Sequence, residues 1–194
     1  MRIGRLVVAS RNPDKVREVE EVLAALALPV RLVRGLTWPE IAETEDTLEG
    51  NALLKARTVA AATGLPALAD DTGLEVDALG GAPGVHTARF AGPDATYADN
   101  VARLLLELDG VDDRTARFRT VVALATPGGD ELVAEGVLAG VITTAPRGRA
   151  GFGYDPVFET ADGRTLAEMP GDQKHLISHR GRALRAFAEL LAED

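Results

Sequence analysis

Residues 5–26, RLVVASRNPDKVREVEEVLAAL, decide the fold because they read as one β-loop-α unit. RLVVAS is a short apolar run of the kind that forms a buried strand. Asn12 then stands as a helix cap, and Pro13 takes the first helical position, where its missing N–H is tolerated. Val16, Val19, Val22, Leu23 and Leu26 follow at helical spacing and form an apolar stripe. A strand that feeds a helix of this kind predicts a sheet with helices packed against it.

The pattern continues outward from that unit. VRLV (30–33) follows Pro29 as a second strand. TLEGNALLKARTVAAATGLP (47–66) reads as a second helix, with Leu48, Ala52, Ala56, Val59 and Ala60 toward the core and Gly64 and Pro66 as its stop signal. ALA (67–69) is then a short strand that delivers Asp70 and Asp71 to a glycine-rich loop. A third helix starts at Thr96, with Asp99 closing a capping box, and carries Val101, Leu104, Leu105 and Leu108 before Gly110. The β-rich runs on either side of Gly128-Gly129 predict a hairpin. A last helix is expected from about Asp172, burying Ile177, Leu184, Phe187 and Leu191. Helices around such strands make a mixed α/β fold, and residues 1–194 are expected to act as a single domain.

Composition narrows the function. With 194 residues and 46% hydrophobic content, the chain supports one sizeable core. A formal charge of −9 argues against a broad nucleic-acid footprint and favours a small substrate met by a local basic pocket. The absence of cysteine removes disulfides, thiolate metal sites and a thiol nucleophile. No segment reaches the apolar length of a membrane span, so a cytoplasmic protein is expected. Of 21 basic residues only Lys15, Lys55 and Lys174 are lysines, either kept where a compact ammonium is needed, such as contact with a phosphate oxygen, or simply scattered by chance.

Four short stretches carry chemistry. SRNPDK (10–15) joins a strand to a helix, where a positive dipole end and the donors of Ser10, Asn12 and Lys15 suit an anion; plain capping by Asn12 is the alternative. No Gly-Lys pair exists to form a Walker loop. Asp70 and Asp71, leaving a strand, suit a divalent cation, and Mg²⁺ needs only one or two carboxylates, such as Asp71 and Glu43; a DDTG turn would explain the same residues. GFGYDP (151–156) lets backbone approach a ligand closely and offers Phe152 or Tyr154 for stacking on a base, or else is a hairpin exit with buried aromatics. KHLISHRG (174–181) presents His179 and Arg180 as donors for a base carbonyl, or as a solvated helical face.

Taken together and in order, SRNPDKVRE, NALLKAR, ADDTGLEVDALGGAPGVHTARFAG, GFGYDPVF and SHRGRAL resemble the inosine/xanthosine triphosphate pyrophosphatases across nearly the whole chain. The resemblance implies an elongated mixed-sheet α/β fold of two lobes with a cleft between them, usually a homodimer. It also implies hydrolysis of ITP, dITP or XTP to the monophosphate and pyrophosphate with Mg²⁺. By motif, Ser10, Arg11, Asn12, Pro13, Asp14, Lys15 and Lys55 would hold the triphosphate, and Asp71 would be general base and metal partner. Thr72 would touch substrate where many relatives have serine. Phe152, Gly153, Tyr154, Asp155, Lys174, His179 and Arg180 would shape the nucleotide site, and Glu43 would be the second metal acid, in competition with Glu45 and Asp46. A donor from His179 or Arg180 would pair with the C6 carbonyl of hypoxanthine or xanthine and oppose the amino group of adenine. The competing readings are a related pyrophosphatase with another base preference and a nucleotide sensor without turnover.

Overall fold

The computed structural model describes residues 3–26 and 28–193, the side chain of Glu193 excepted. Among the described residues seven strands form one mixed sheet: β1 (Arg5–Val8), β2 (Arg31–Val33), β3 (Ala67–Val76), β4 (Pro83–Gly84), β5 (Thr115–Ala125), β6 (Glu131–Ile142) and β7 (Phe158–Glu159). Their order is β2-β1-β3-β5-β6-β7, with β4 beside β3. β1 pairs in parallel with β2 and with β3, whereas β3–β4 and β6–β7 are antiparallel. The helices are α1 (Pro13–Ala25), α2 (Leu48–Thr63), α3 (Tyr97–Glu107), α4 (Gly171–Ile177) and α5 (His179–Glu193).

The chain forms two compact units, residues 1–71, 120–136 and 179–194 in one and 72–119 and 137–178 in the other. In the first, Leu6, Val19, Val22, Leu23, Leu68, Val122, Leu124, Leu184 and Phe187 make a buried apolar cluster. In the second, Leu74, Val101, Leu104, Leu108, Phe118, Tyr154, Val157 and Phe158 do the same. Local signals set the helix ends. Asn12 caps α1 by accepting from the amides of Asp14 and Lys15. Thr47 caps α2, and Thr96 with Asp99 closes the capping box of α3. All five residues expected on the core side of α2 are buried.

Two expectations are corrected. β3 does not stop after Ala69; it runs for ten residues, through Asp70 and Asp71 to Val76. The sequence signal was a charge break in an apolar run, but β3 changes neighbours as it goes. Its first residues pair with β1 at Val7 and Val8, and Leu74 and Glu75 pair with β4. The Asp pair therefore lies past the end of β1 but inside a continuing strand. The last helix is also two helices, because Ser178 adopts extended backbone, with ψ of 151°, between α4 and α5. The residues on either side are helix formers, so their periodicity runs on across the break and hides it.

Candidate active site

Successive residues of a strand face opposite sides, and this separates the two aspartates. Asp70 Oδ2 lies 3.3 Å from Lys15 Nζ and accepts from Arg180 Nε and Nη2 at 3.2 Å each. The Arg180 guanidinium, itself buried, also binds Glu18, one turn along α1 from Lys15. Asp71 Oδ1 accepts from Lys55 Nζ at 2.8 Å, and the same ammonium donates to Glu43 Oε1 at 2.9 Å. Five charged groups from α1, α2, α5 and the loop before α2 thus converge on two adjacent strand positions. Lys15 and Arg180 pair with Asp70, and Lys55 pairs with Asp71.

The electrostatics of the two acids differ in sign. Burial alone would raise the pKa of Asp70, but the charges of Lys15, Arg180 and Lys55 outweigh it and hold this carboxyl far below the usual range. For Asp71 burial dominates; the attraction of Lys55 and Lys15 does not offset it, Glu43 adds repulsion, and the pKa is raised. Burial would lower the pKa of Lys55, yet Asp71, Glu43 and Asp70 together raise it, so the ammonium stays charged. Asp71 also keeps a buried Oδ2 without a hydrogen-bond partner.

That bare oxygen tests whether a divalent cation fits. Among the described residues no group of three His, Cys, Asp or Glu side chains could hold a metal ion. Mg²⁺ does not need one, because it keeps several waters and takes one or two carboxylates plus substrate phosphates. Asp71 and Glu43 share one ammonium, so their carboxylates lie within the span of two hydrogen bonds, and Asp71 Oδ2 has ligand capacity to spare. The oxygen-only donor set fits a hard cation. Of the three acids that compete in AETED, only Glu43 reaches Lys55; the Glu45 carboxylate instead accepts from the Thr44 hydroxyl.

The other expected residues fall into local groups. Ser10 Oγ accepts from the Asn12 amide at 3.2 Å, and Arg11 Nη2 donates to the Trp38 carbonyl at 2.7 Å. Pro13 opens α1, and Asp14 pairs with Arg17 on the exposed side. Lys15 is drawn to Asp70 rather than solvated. His179 Nδ1 lies 2.6 Å from the hydroxyl of fully buried Thr120, which fixes the ring at the start of α5. In the second unit Thr72 continues β3, half-buried. Asp155 accepts from the Phe152 amide at 2.8 Å and from Lys174 Nζ at 2.7 Å, and Lys174 lies 5.1 Å from the centre of the Phe152 ring. Gly151, at φ +74°, has no room for a Cβ because the Asp155 carboxylate occupies that place. Tyr154 is a core residue; its hydroxyl donates to the Thr87 carbonyl at 3.0 Å. Phe152, in contrast, is half-buried and tilts against the exposed Tyr97 at 5.8 Å between centroids.

Sequence reasoning missed Glu18, Thr120, Asn51 and Tyr97. A glutamate on an amphipathic helix gives no sign of burial, and Thr120 sits in a strand like any β-former. Neither has a local signal, because each acquires its partner from a distant segment.

The mixed α/β sheet thus carries two buried carboxylates beside lysines, one of them Lys15 in the first turn of α1. The comparisons are specific. The model of the Ham1 family matches residues 6–190. A dITP/XTP pyrophosphatase of Syntrophobacter fumaroxidans is 53% identical over 96% of this chain and 83% of its own, and one of Geobacter sulfurreducens is 50% identical over 96% of each. The structure of a HAM1 protein from Coxiella burnetii superposes with a TM-score of 0.89 at 41% identity, covering 99% of this chain and all of that one. The chain belongs to the Ham1 family.

Proposed function

We propose that this chain is a nucleoside-triphosphate pyrophosphatase that hydrolyses dITP, ITP and XTP to the monophosphate and pyrophosphate. The observation that carries the proposal is Asp71: a buried carboxylate with a raised pKa, one bare oxygen, and Lys55 and Glu43 at its side. The names of the relatives support the same reaction and substrate class.

In this reading the Asp71 carboxylate removes a proton from a water molecule, whose oxygen bonds to the α-phosphorus while the α–β bridging oxygen departs with pyrophosphate. A raised pKa suits a base that must take a proton near neutral pH. Lys55 and Lys15 offset phosphate charge, with Ser10, Arg11, Asn12, Pro13 and Asp14 forming the turn that receives the triphosphate. Asp71 and Glu43 would hold Mg²⁺, which supplies charge neutralisation on the phosphates. Thr72, Phe152, Gly153, Tyr154, Asp155 and Lys174 are proposed to shape the nucleotide site, Phe152 as the ring available for stacking. His179, oriented by Thr120, is proposed to donate to the C6 carbonyl, with Arg180 held beside it by Asp70 and Glu18. Residues 1–194 act as one catalytic domain, in a cytoplasmic homodimer. Among the described residues no helix is long and apolar enough to cross a membrane.

The test is pyrophosphate release from ITP, dITP, XTP, ATP and GTP, with and without Mg²⁺. Selective, metal-dependent release from the first three is expected; no release from any of them overturns the proposal. His179→Ala should raise the ATP rate relative to ITP, and an unchanged ratio removes the C6 contact. Light scattering on the eluted protein checks the dimer.

A further inference from the structure

Glu43 stands in a loop, yet it must meet Lys55 and Asp71 with side-chain precision. What holds the loop is on α2. Asn51 is completely buried, and both ends of its amide are used by one residue: Oδ1 accepts from the Glu45 amide at 3.1 Å and Nδ2 donates to the Glu45 carbonyl at 3.2 Å. The fork copies the paired hydrogen bonds of a strand ladder and fixes the backbone two residues beyond Glu43. Asn51 and Lys55 are four residues apart and so share one face of α2. That face grips the loop at Glu45 and receives its carboxylate at Glu43, one turn further along.

Gly50 provides the second, independent observation. A Cβ at this position would stand 2.7 Å from Glu45 Cβ and 3.0 Å from both Glu45 Cγ and the Thr47 hydroxyl. The loop can lie against the first turn of α2 only because residue 50 has no side chain. Glycine early in a helix otherwise costs up to about 1 kcal/mol relative to alanine, so its presence here answers a need for close approach.

We propose that Asn51 is a positioning residue that sets the Glu43 carboxylate beside Asp71 for a divalent cation, with Gly50 making the room it requires. The inference rests on the reading above in which Glu43 and Asp71 hold the metal. It is tested without turnover, by titrating Mn²⁺ into the substrate-free full chain and by following hydrogen exchange at the Glu45 amide. Glu43→Gln weakens Mn²⁺ binding if the metal reading holds. Asn51→Ala is then expected to weaken it about tenfold, in the range of partners that orient metal ligands, and to speed exchange at Glu45. Gly50→Ala is expected to weaken Mn²⁺ binding although alanine favours the helix, which separates the effect from loss of folding. Adding Asn51→Ala to Glu43→Gln should cost nothing further, because the asparagine acts through the glutamate. If Glu43→Gln weakens binding and neither Asn51→Ala nor Gly50→Ala does, the positioning role is wrong and the metal reading stands. If Asn51→Ala costs as much in the Glu43→Gln background, Asn51 acts by another route and the proposal falls. If Glu43→Gln leaves Mn²⁺ affinity unchanged, the assignment of Glu43 to the metal falls, and the proposal with it.

Discussion

Asp70 and Asp71 are chemically identical neighbours on one strand, equally buried, and the fold shifts their pKa values in opposite directions. Asp70 faces two cations, and Asp71 shares one with a second carboxylate. The first is held ionised far below the usual carboxylate range; the second is raised. Count and sharing of partners, rather than burial, make the difference. Asp70 is thereby committed to tying α1 and α5 to β3, while Asp71 stands beside Lys55 and Glu43.

The largest test of this division is Asp71→Asn. Loss of the base is expected to lower pyrophosphate release by roughly 10²–10⁴-fold with the melting temperature nearly unchanged. Retained activity would erase the distinction between the two acids. Asp70→Asn should do the reverse: it removes the carboxylate that pairs with Lys15 and with Arg180, at a cost of about 3–5 kcal/mol typical of broken buried pairs. Urea denaturation measures it, and a loss below about 1 kcal/mol would show that solvent reaches this cluster. Glu18→Gln keeps Asp70 on Arg180 and is expected to cost less, about 1–3 kcal/mol, by the same measurement.

The pH dependence has opposite signs at the two positions. The folded pKa of Asp70 is below its unfolded value of about 3.9, so its contribution to stability is fully present above that pH and is lost as pH falls toward the folded pKa. The folded pKa of Asp71 is above its unfolded value, so its contribution is present at low pH and is lost as pH rises through the folded pKa. Carboxyl carbon shifts in the metal-free protein should show Asp71 titrating above the ordinary range and Asp70 still ionised when the chain unfolds in acid. Two coincident midpoints would dissolve the contrast.

Much of this organisation is legible in the sequence. The caps at Asn12 and Thr96, the stop at Gly64 and the buried side of α2 follow from local backbone chemistry, and the structure has each of them. The break at Ser178 is illegible, because a single extended residue between two good helical stretches leaves the periodicity intact. The continuation of β3 past Ala69 is illegible for a different reason: charged residues in mid-strand are tolerated only when distant cations meet them. Tyr154, offered by its loop as a stacking ring, is claimed by the core and by the Thr87 carbonyl.

The sequence by itself determined the first three helices, the strands that precede them, and the residue types gathered at the candidate site, since caps, periodicity and motif spacing act over a few residues. Only the tertiary structure decided which lysine meets which aspartate, which of three loop acids reaches Lys55, and that a glutamate of α1 lies buried under an arginine of α5. Those pairings join residues 12 to 162 positions apart, and Coulomb energies and pKa values depend on distances through space that no local pattern records.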